Sequence, residues 1–143
     1  MKILYLFFIF FFVFGYSQQY SKQEKVVLIQ ANKLDSMMKN NDISIVNLFT
    51  KDVSFGHSNG WIQNLDDFKK DFISKKVSYK EISQTEVSEI KKFKNTVSLR
   101  RTIKVAGLYE KYDFQMKLAV LEIWIKKKSE WKLWSRQSVE IKQ

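Results

Sequence analysis

The chain carries a single histidine, and its setting is the first place to look for chemistry. His57 stands in Phe55-Gly-His-Ser-Asn-Gly-Trp61, where an alternating strand runs into an Asn59-Gly60 turn. An imidazole titrating near neutrality can donate, accept or move a proton. His57 shares parity with Val53 and Phe55, which aims it at the interior side of the strand. Three roles are open to it: hydrogen-bonding a ligand, acting as a general base, or locking the hairpin through the Ser58 or Asn59 backbone. A base needs a partner, and none is visible along the sequence.

Arg101 is the second unusual residue. It interrupts the apolar alternation Val97, Leu99, Ile103, Val105. A lone buried guanidinium is costly, so a carboxylate should accompany it. Glu122 lies in an equally apolar run, Val120-Leu-Glu-Ile-Trp124, and the two are expected to meet across adjacent strands. Such a pair would be a strut or an anchor for an anionic ligand. The alternative is a β-bulge that turns Arg101 to solvent beside Arg100.

On the last strand Leu133, Ser135 and Gln137 share one face, and Trp134, Arg136 and Ser138 the other. Small and amide side chains leave room and orient a ligand, so the first set is assigned to a cavity. Asn59, Trp61 and Tyr79 would complete its wall. Trp124, Trp131 and Trp134 read as packing or as a dimer face.

Several chemistries are excluded. One histidine and no cysteine cannot build an ordinary zinc site, and no cofactor is expected. There is no Gly-x-Gly-x-x-Gly, no phosphate-cradling loop and no serine in a nucleophile elbow.

These residues need elements to hold them. Ser21 and Glu24 have capping-box spacing, and Val27, Ala31, Leu34 and Met38 make an apolar helical stripe ending at Asn40-Asn41. Asp42 can cap a short second helix facing Ile45, Leu48 and Phe49 inward. Asn59-Gly60 predicts a two-residue type I′ hairpin turn with positive φ at both positions, returning through Trp61-Ile62-Gln63. Asn64 caps a third helix that buries Leu65, Phe68 and Phe72. Long β-rich segments follow at 77–91, 96–106, 111–127 and 131–141, broken at Lys94-Asn95, at a Gly107 turn and at Lys128-Ser129-Glu130. Short connections make them an antiparallel meander. Helices first and a long-stranded sheet after is an α+β arrangement whose strands must bend, enclosing a cone.

Residues 1–17 have the anatomy of a secretory signal peptide: Lys2, an apolar run from Ile3 to Phe14, then Gly15 and Ser17 at the minus-three and minus-one positions. The run falls short of the roughly 20 apolar residues of a spanning helix, with an uncleaved anchor as the rival reading. Cleavage would leave one domain, residues 18–143, with no later transmembrane segment, in a periplasmic or secreted location. Losing Lys2 takes the net charge from +10 to +9. The lysines scatter over Lys91, Lys92, Lys94 and Lys126 to Lys128 and form no groove with stacking aromatics, so nucleic-acid binding is not expected.

The order of helix, short helix, strand with His57-Ser-Asn-Gly60, helix and long strands closing in Glu122-Ile-Trp-Ile and Trp131-Lys-Leu-Trp-Ser-Arg-Gln137 resembles the NTF2-like superfamily. It is most similar to the DUF4440 and SnoaL-like branches, small exported bacterial proteins. The resemblance implies a cone-shaped pocket between sheet and helices, usually in a homodimer that packs through the sheet. Together with the residues singled out above, the expected role is non-catalytic binding of a small, partly apolar molecule by His57, Asn59, Trp61, Tyr79, Arg101, Glu122 and Gln137. Two alternatives stand beside it: a lyase or isomerase of SnoaL or ketosteroid-isomerase type with His57 as base, and a homodimeric association module with a filled pocket. Catalytic members place an Asp or a His–Asp pair deep in the cone. No counterpart is evident here, since Asp52, Asp66 and Asp67 fall at element ends.

Overall fold

The first helix, α1 (Lys22–Lys39), begins where its sequence says it should. The Ser21 hydroxyl accepts from the Glu24 N–H, and the Glu24 carboxylate accepts from the Ser21 N–H at 2.7 Å. Two of the helix's orphan donors are thereby satisfied. Val27, Ala31, Leu34 and Met38 are buried, and Asp35 is buried with them. The computed structural model describes residues 19–142, so the expected signal peptide lies outside the described residues. Among those described, no helix is long and apolar enough to cross a membrane.

Asp42 caps the next element, which is a 3-10 helix (Ile43–Leu48) rather than an α-helix. Ile45 and Leu48 are buried, and Phe49 already opens the first strand. Helix α2 (Leu65–Ile73) is capped by Asn64, whose Oδ1 accepts from the N–H groups of Asp66 and Asp67 at 2.9 Å each.

Six strands form one sheet: β1 (Phe49–Gly56), β2 (Ile62–Gln63), β3 (Val77–Phe93), β4 (Thr96–Tyr109), β5 (Tyr112–Lys127) and β6 (Glu130–Glu140). Their order is β2-β1-β6-β5-β4-β3. The last four make the expected antiparallel meander, but β1 pairs with β6 in parallel, so the sheet is mixed. Three register shifts interrupt β3, at Tyr79/Glu81, Gln84/Glu86 and Val87/Glu89. Each bulge bends the strand and increases local twist, which is how a 17-residue strand curves around the helices. α1 packs mainly against β3 and α2 against β1, leaving a cone on the concave side.

Two turns differ from expectation. His57 and Trp61 close the first hairpin around three residues, with only Gly60 at positive φ (86°). An extra loop residue removes the need for a left-handed Asn59, whose side chain instead accepts from the Trp61 N–H at 3.0 Å. Gly107 makes no turn. β4 runs through it to Tyr109, and Glu110 takes the left-handed conformation. A Cβ on Gly107 would fall 2.1 Å from the Ser78 carbonyl oxygen, so glycine is required there by the close approach of β3.

The core has two parts. One gathers the α1 stripe, Ile45, Phe49, Phe55, Phe68, Trp124, Trp131 and Leu133 at the closed end. The other, Ile103, Val105, Leu118 and Val120, lines the upper sheet. Trp124 and Trp131 are therefore packing residues, while Trp134 stays exposed and donates to Asp52.

Candidate functional site

The helices cover the concave face only in part. Beneath them lies a cavity of about 410 Å³ with walls formed largely by Phe55, Phe68, Phe72, Ile82, Ile103, Val105, Phe114, Met116 and Leu118. That is near the lower end of small-molecule sites, about 300–1,000 Å³. Polar side chains interrupt this wall at an exposed mouth and at a buried interior.

At the mouth the His57 and Trp61 rings stack at 5.2 Å, and Lys76 Nζ lies 5.4 Å from the Trp61 ring centre and 3.7 Å from Asp71. Asp71 raises the Lys76 pKa, so that ammonium stays charged. Gln63, nearly fully buried, donates through Nε2 to Asp71 Oδ2 at 3.1 Å and to the Asp67 carbonyl at 3.5 Å. Its Oε1 must then be the acceptor facing His57 Nε2, 2.7 Å away, so the imidazole carries its proton on Nε2. Burial pushes the His57 pKa below its ordinary value, with Arg136 and Lys76 acting in the same direction against Gln63 and Asp71. The ring is neutral at pH 7, and its hydrogen bond runs to the Gln63 amide, which in turn bonds Asp71.

The interior holds four charges. Arg101 is 1% exposed, which excludes the bulge that would have turned it to solvent. Both its terminal nitrogens bond Asp35, Nη2 to Oδ1 at 2.8 Å, and Nη2 also donates to Glu122 Oε1 at 2.7 Å. Burial alone would lower the Arg101 pKa, but Glu122 and Asp35 outweigh it and hold the value above the ordinary arginine range. Glu122 Oε2 accepts from Trp124 Nε1 at 3.1 Å. Arg136 completes the group: Nη1 donates to Ser138 Oγ at 2.9 Å, Nε lies 3.6 Å from Glu122 Oε1, and the guanidinium sits 4.7 Å from the Phe55 ring centre. Among the described residues no cluster of three or more His, Asp or Glu side chains is placed to hold a metal ion.

An N-terminal helix on a curved sheet with an open cone recurs in solved structures. An NTF2-like protein from Cytophaga hutchinsonii superposes with a TM-score of 0.79 at 20% identity, covering 85% of this chain and 100% of that one. The fold is NTF2-like. A candidate scytalone dehydratase from Novosphingobium aromaticivorans matches at a TM-score of 0.72 and 13% identity, covering 84% and 85% of the two chains. The CaMKII hub of S. rosetta matches at 0.71 and 14%, covering 86% and 100%. No family model matches the sequence, and no curated protein does.

Within this NTF2-like cone, His57, Asn59, Trp61 and Tyr79 line the cavity. Tyr79 meets Phe114 edge-on at 5.9 Å, and burial raises its phenol pKa so that it stays protonated. Arg101 and Glu122 meet as expected, diagonally across β4 and β5, but stand behind the cavity wall. Gln137 does not enter the cavity. Its Nε2 donates to the His57 and Ser138 carbonyls, each at 2.9 Å, tying β6 to β1.

The cause is a bulge. Trp124 pairs with Leu133 and Ile123 with Ser135, so Trp134 is the extra residue on β6. One unpaired residue inverts the faces beyond it, sending Arg136 and Ser138 to the cavity and Gln137 away. Asp35 was also missed from sequence. It follows Leu34 and lies four residues after Ala31, on the buried stripe of α1. Gln63 directly precedes the Asn64 cap and Asp71 lies within α2, and neither gave a periodic signal.

Proposed function

We propose that this chain binds a small, partly apolar molecule in its cone and releases it chemically unchanged. The observation that carries this is an apolar cavity of about 410 Å³ whose interior carboxylates are already engaged by arginine and tryptophan donors. A carboxylate held in two charge-assisted bonds is a poor base, because taking up a proton would break them. An unfilled cone also counts against an association module with a plugged pocket. Membership of the DUF4440 or SnoaL-like branch, export directed by residues 1–17, and a homodimer formed through the convex sheet face belong to the same proposal.

The rival is a lyase or isomerase with His57 as base. The His57–Gln63–Asp71 chain and the dehydratase neighbour favour it. Native mass spectrometry of protein purified from its own cell envelope tests the main reading. A species heavier than the polypeptide, shed intact on collisional activation, is expected. Bare polypeptide in every preparation, or turnover of the released compound by fresh protein, would sink it.

A further inference from the structure

Of the four buried charges in the cone, three have their hydrogen-bonding capacity largely in use. Asp35 and Glu122 each receive donors on both carboxylate oxygens, and Arg101 spends its terminal nitrogens on them. Arg136 differs. It is 5% exposed and lines the cavity, and among the described residues its Nη1 bonds the neutral Ser138 hydroxyl rather than a carboxylate. Its Nε, like that of Arg101, has no hydrogen-bond partner among the described residues, although it lies 3.6 Å from Glu122 Oε1. A guanidinium has five N–H donors in a planar fork, and buried donors left unmade are costly.

We infer that Arg136 receives the carboxylate of an acidic ligand whose apolar body fills the rest of the cone. This rests on the reading of the cone as a small-molecule site. The two oxygens of a carboxylate match the spacing of a guanidinium edge, and the pair is stronger than a neutral bond. The four interior charges sum to zero, since Asp35 and Glu122 balance Arg101 and Arg136, so one added negative charge meets no uncompensated acid. A phosphate would need more donors than one guanidinium and one hydroxyl supply, and the rest of the wall is largely aliphatic and aromatic. Lys76 at the mouth and the net charge of +10 draw anions toward the opening.

The test is calorimetric titration of the purified protein with phenylalkanoates, from phenylacetate to phenylhexanoate, each against the alcohol of the same length. The best-fitting acid should bind at least about tenfold more tightly than its alcohol. Arg136→Met should abolish that advantage and leave the alcohol's affinity unchanged. If Arg136→Met does not fold, Arg136→Lys takes its place, with the acid weakened and the alcohol unaffected. Equal affinity of acid and alcohol would overturn the carboxylate assignment while the small-molecule reading stands. Equal weakening of both by the variant would make Arg136 a packing residue and overturn it as well. No binding by any member of either series would remove both.

Discussion

Arg101 on β4 grips the carboxylate of Asp35 on α1 with both terminal nitrogens, and this is the buried ion pair that fastens helix to sheet. Removing one partner leaves an uncompensated buried charge, which costs about 3–5 kcal/mol. Arg101→Met and Asp35→Asn should each lower stability by about that amount. The double variant should be little worse than either single one, because Glu122 then keeps Arg136 as its counter-charge, 3.6 Å away. Urea denaturation of the four proteins gives the interaction energy directly. Additive losses would show that the pair does not act as a unit.

A solitary histidine makes the mouth of the cone measurable by NMR without assignment. The His57 pKa should lie below its ordinary 6.5 because burial dominates. Asp71→Asn should lower it further by removing a negative charge, and Gln63→Leu should do the same by removing an acceptor. Lys76→Met should raise it. A His57 pKa at or above 6.5 in the unmodified protein would contradict the buried, Nε2-protonated ring.

The same depression predicts how stability varies with pH. In the unfolded chain the imidazole takes up its proton near 6.5, while in the folded chain it does so only at lower pH. The unfolded state therefore binds more protons in that interval, and stability rises with pH across it. The contribution is complete above 6.5 and is lost as pH falls toward the folded value. Thermal melts from pH 7.5 to 5 should show this loss in the native protein and a smaller one in His57→Gln. Parallel curves for the two would exclude His57 as the cause.

Elements set by local chemistry were legible in the sequence, and features set by pairing were not. The α1 stripe, the Ser21 and Asn64 caps and the four long strands follow from spacing and side-chain type within a few residues of each other. The Arg101–Glu122 contact was also readable, because two charged residues inside apolar runs demand each other. Arg136 was not. Its orientation depends on Trp134 being unpaired, which β5 decides and β6 alone does not reveal. The parallel β1–β6 pairing is likewise invisible, since its partners lie far apart along the chain. Asp35 was within reach of the helical periodicity that placed Leu34 and Met38, but an acid on an apolar stripe reads as a solvated edge until its arginine is known.

Gly60 and Gly107 are both glycines of necessity, for different reasons that substitution separates. Gly60 takes φ 86° with open space around it, so Gly60→Ala should cost about 1–2 kcal/mol through backbone strain alone. Gly60→Asn should recover much of that, because asparagine visits the left-handed region readily. At Gly107 the obstacle is the Ser78 carbonyl, so alanine should cost about 1–3 kcal/mol and asparagine no less. Denaturant midpoints for the four variants check the contrast. Recovery by asparagine at position 107 would mean the β3 approach is not the constraint.

The convex face of the sheet supplies the last prediction. Val120, Glu122 and Trp124 point inward, so pleating sends Leu121, Ile123 and Ile125 outward, with Val139 on β6 and Ile141 just beyond it also exposed. Aliphatic side chains on adjacent strands with one face in water are the composition of an interface core rather than of a solvated sheet. If two copies meet there, Leu121→Glu places a carboxylate opposite its symmetry mate's apolar surface, and truncating central contacts of this kind costs about 2 kcal/mol or more. Analytical ultracentrifugation should find a dimer for the native protein and a monomer for Leu121→Glu. The circular dichroism and the binding by the cone should be unchanged in the variant, because Leu121 faces away from the cavity. A native protein that sediments as a monomer at high concentration would leave the convex face without a second copy and end the dimer assignment.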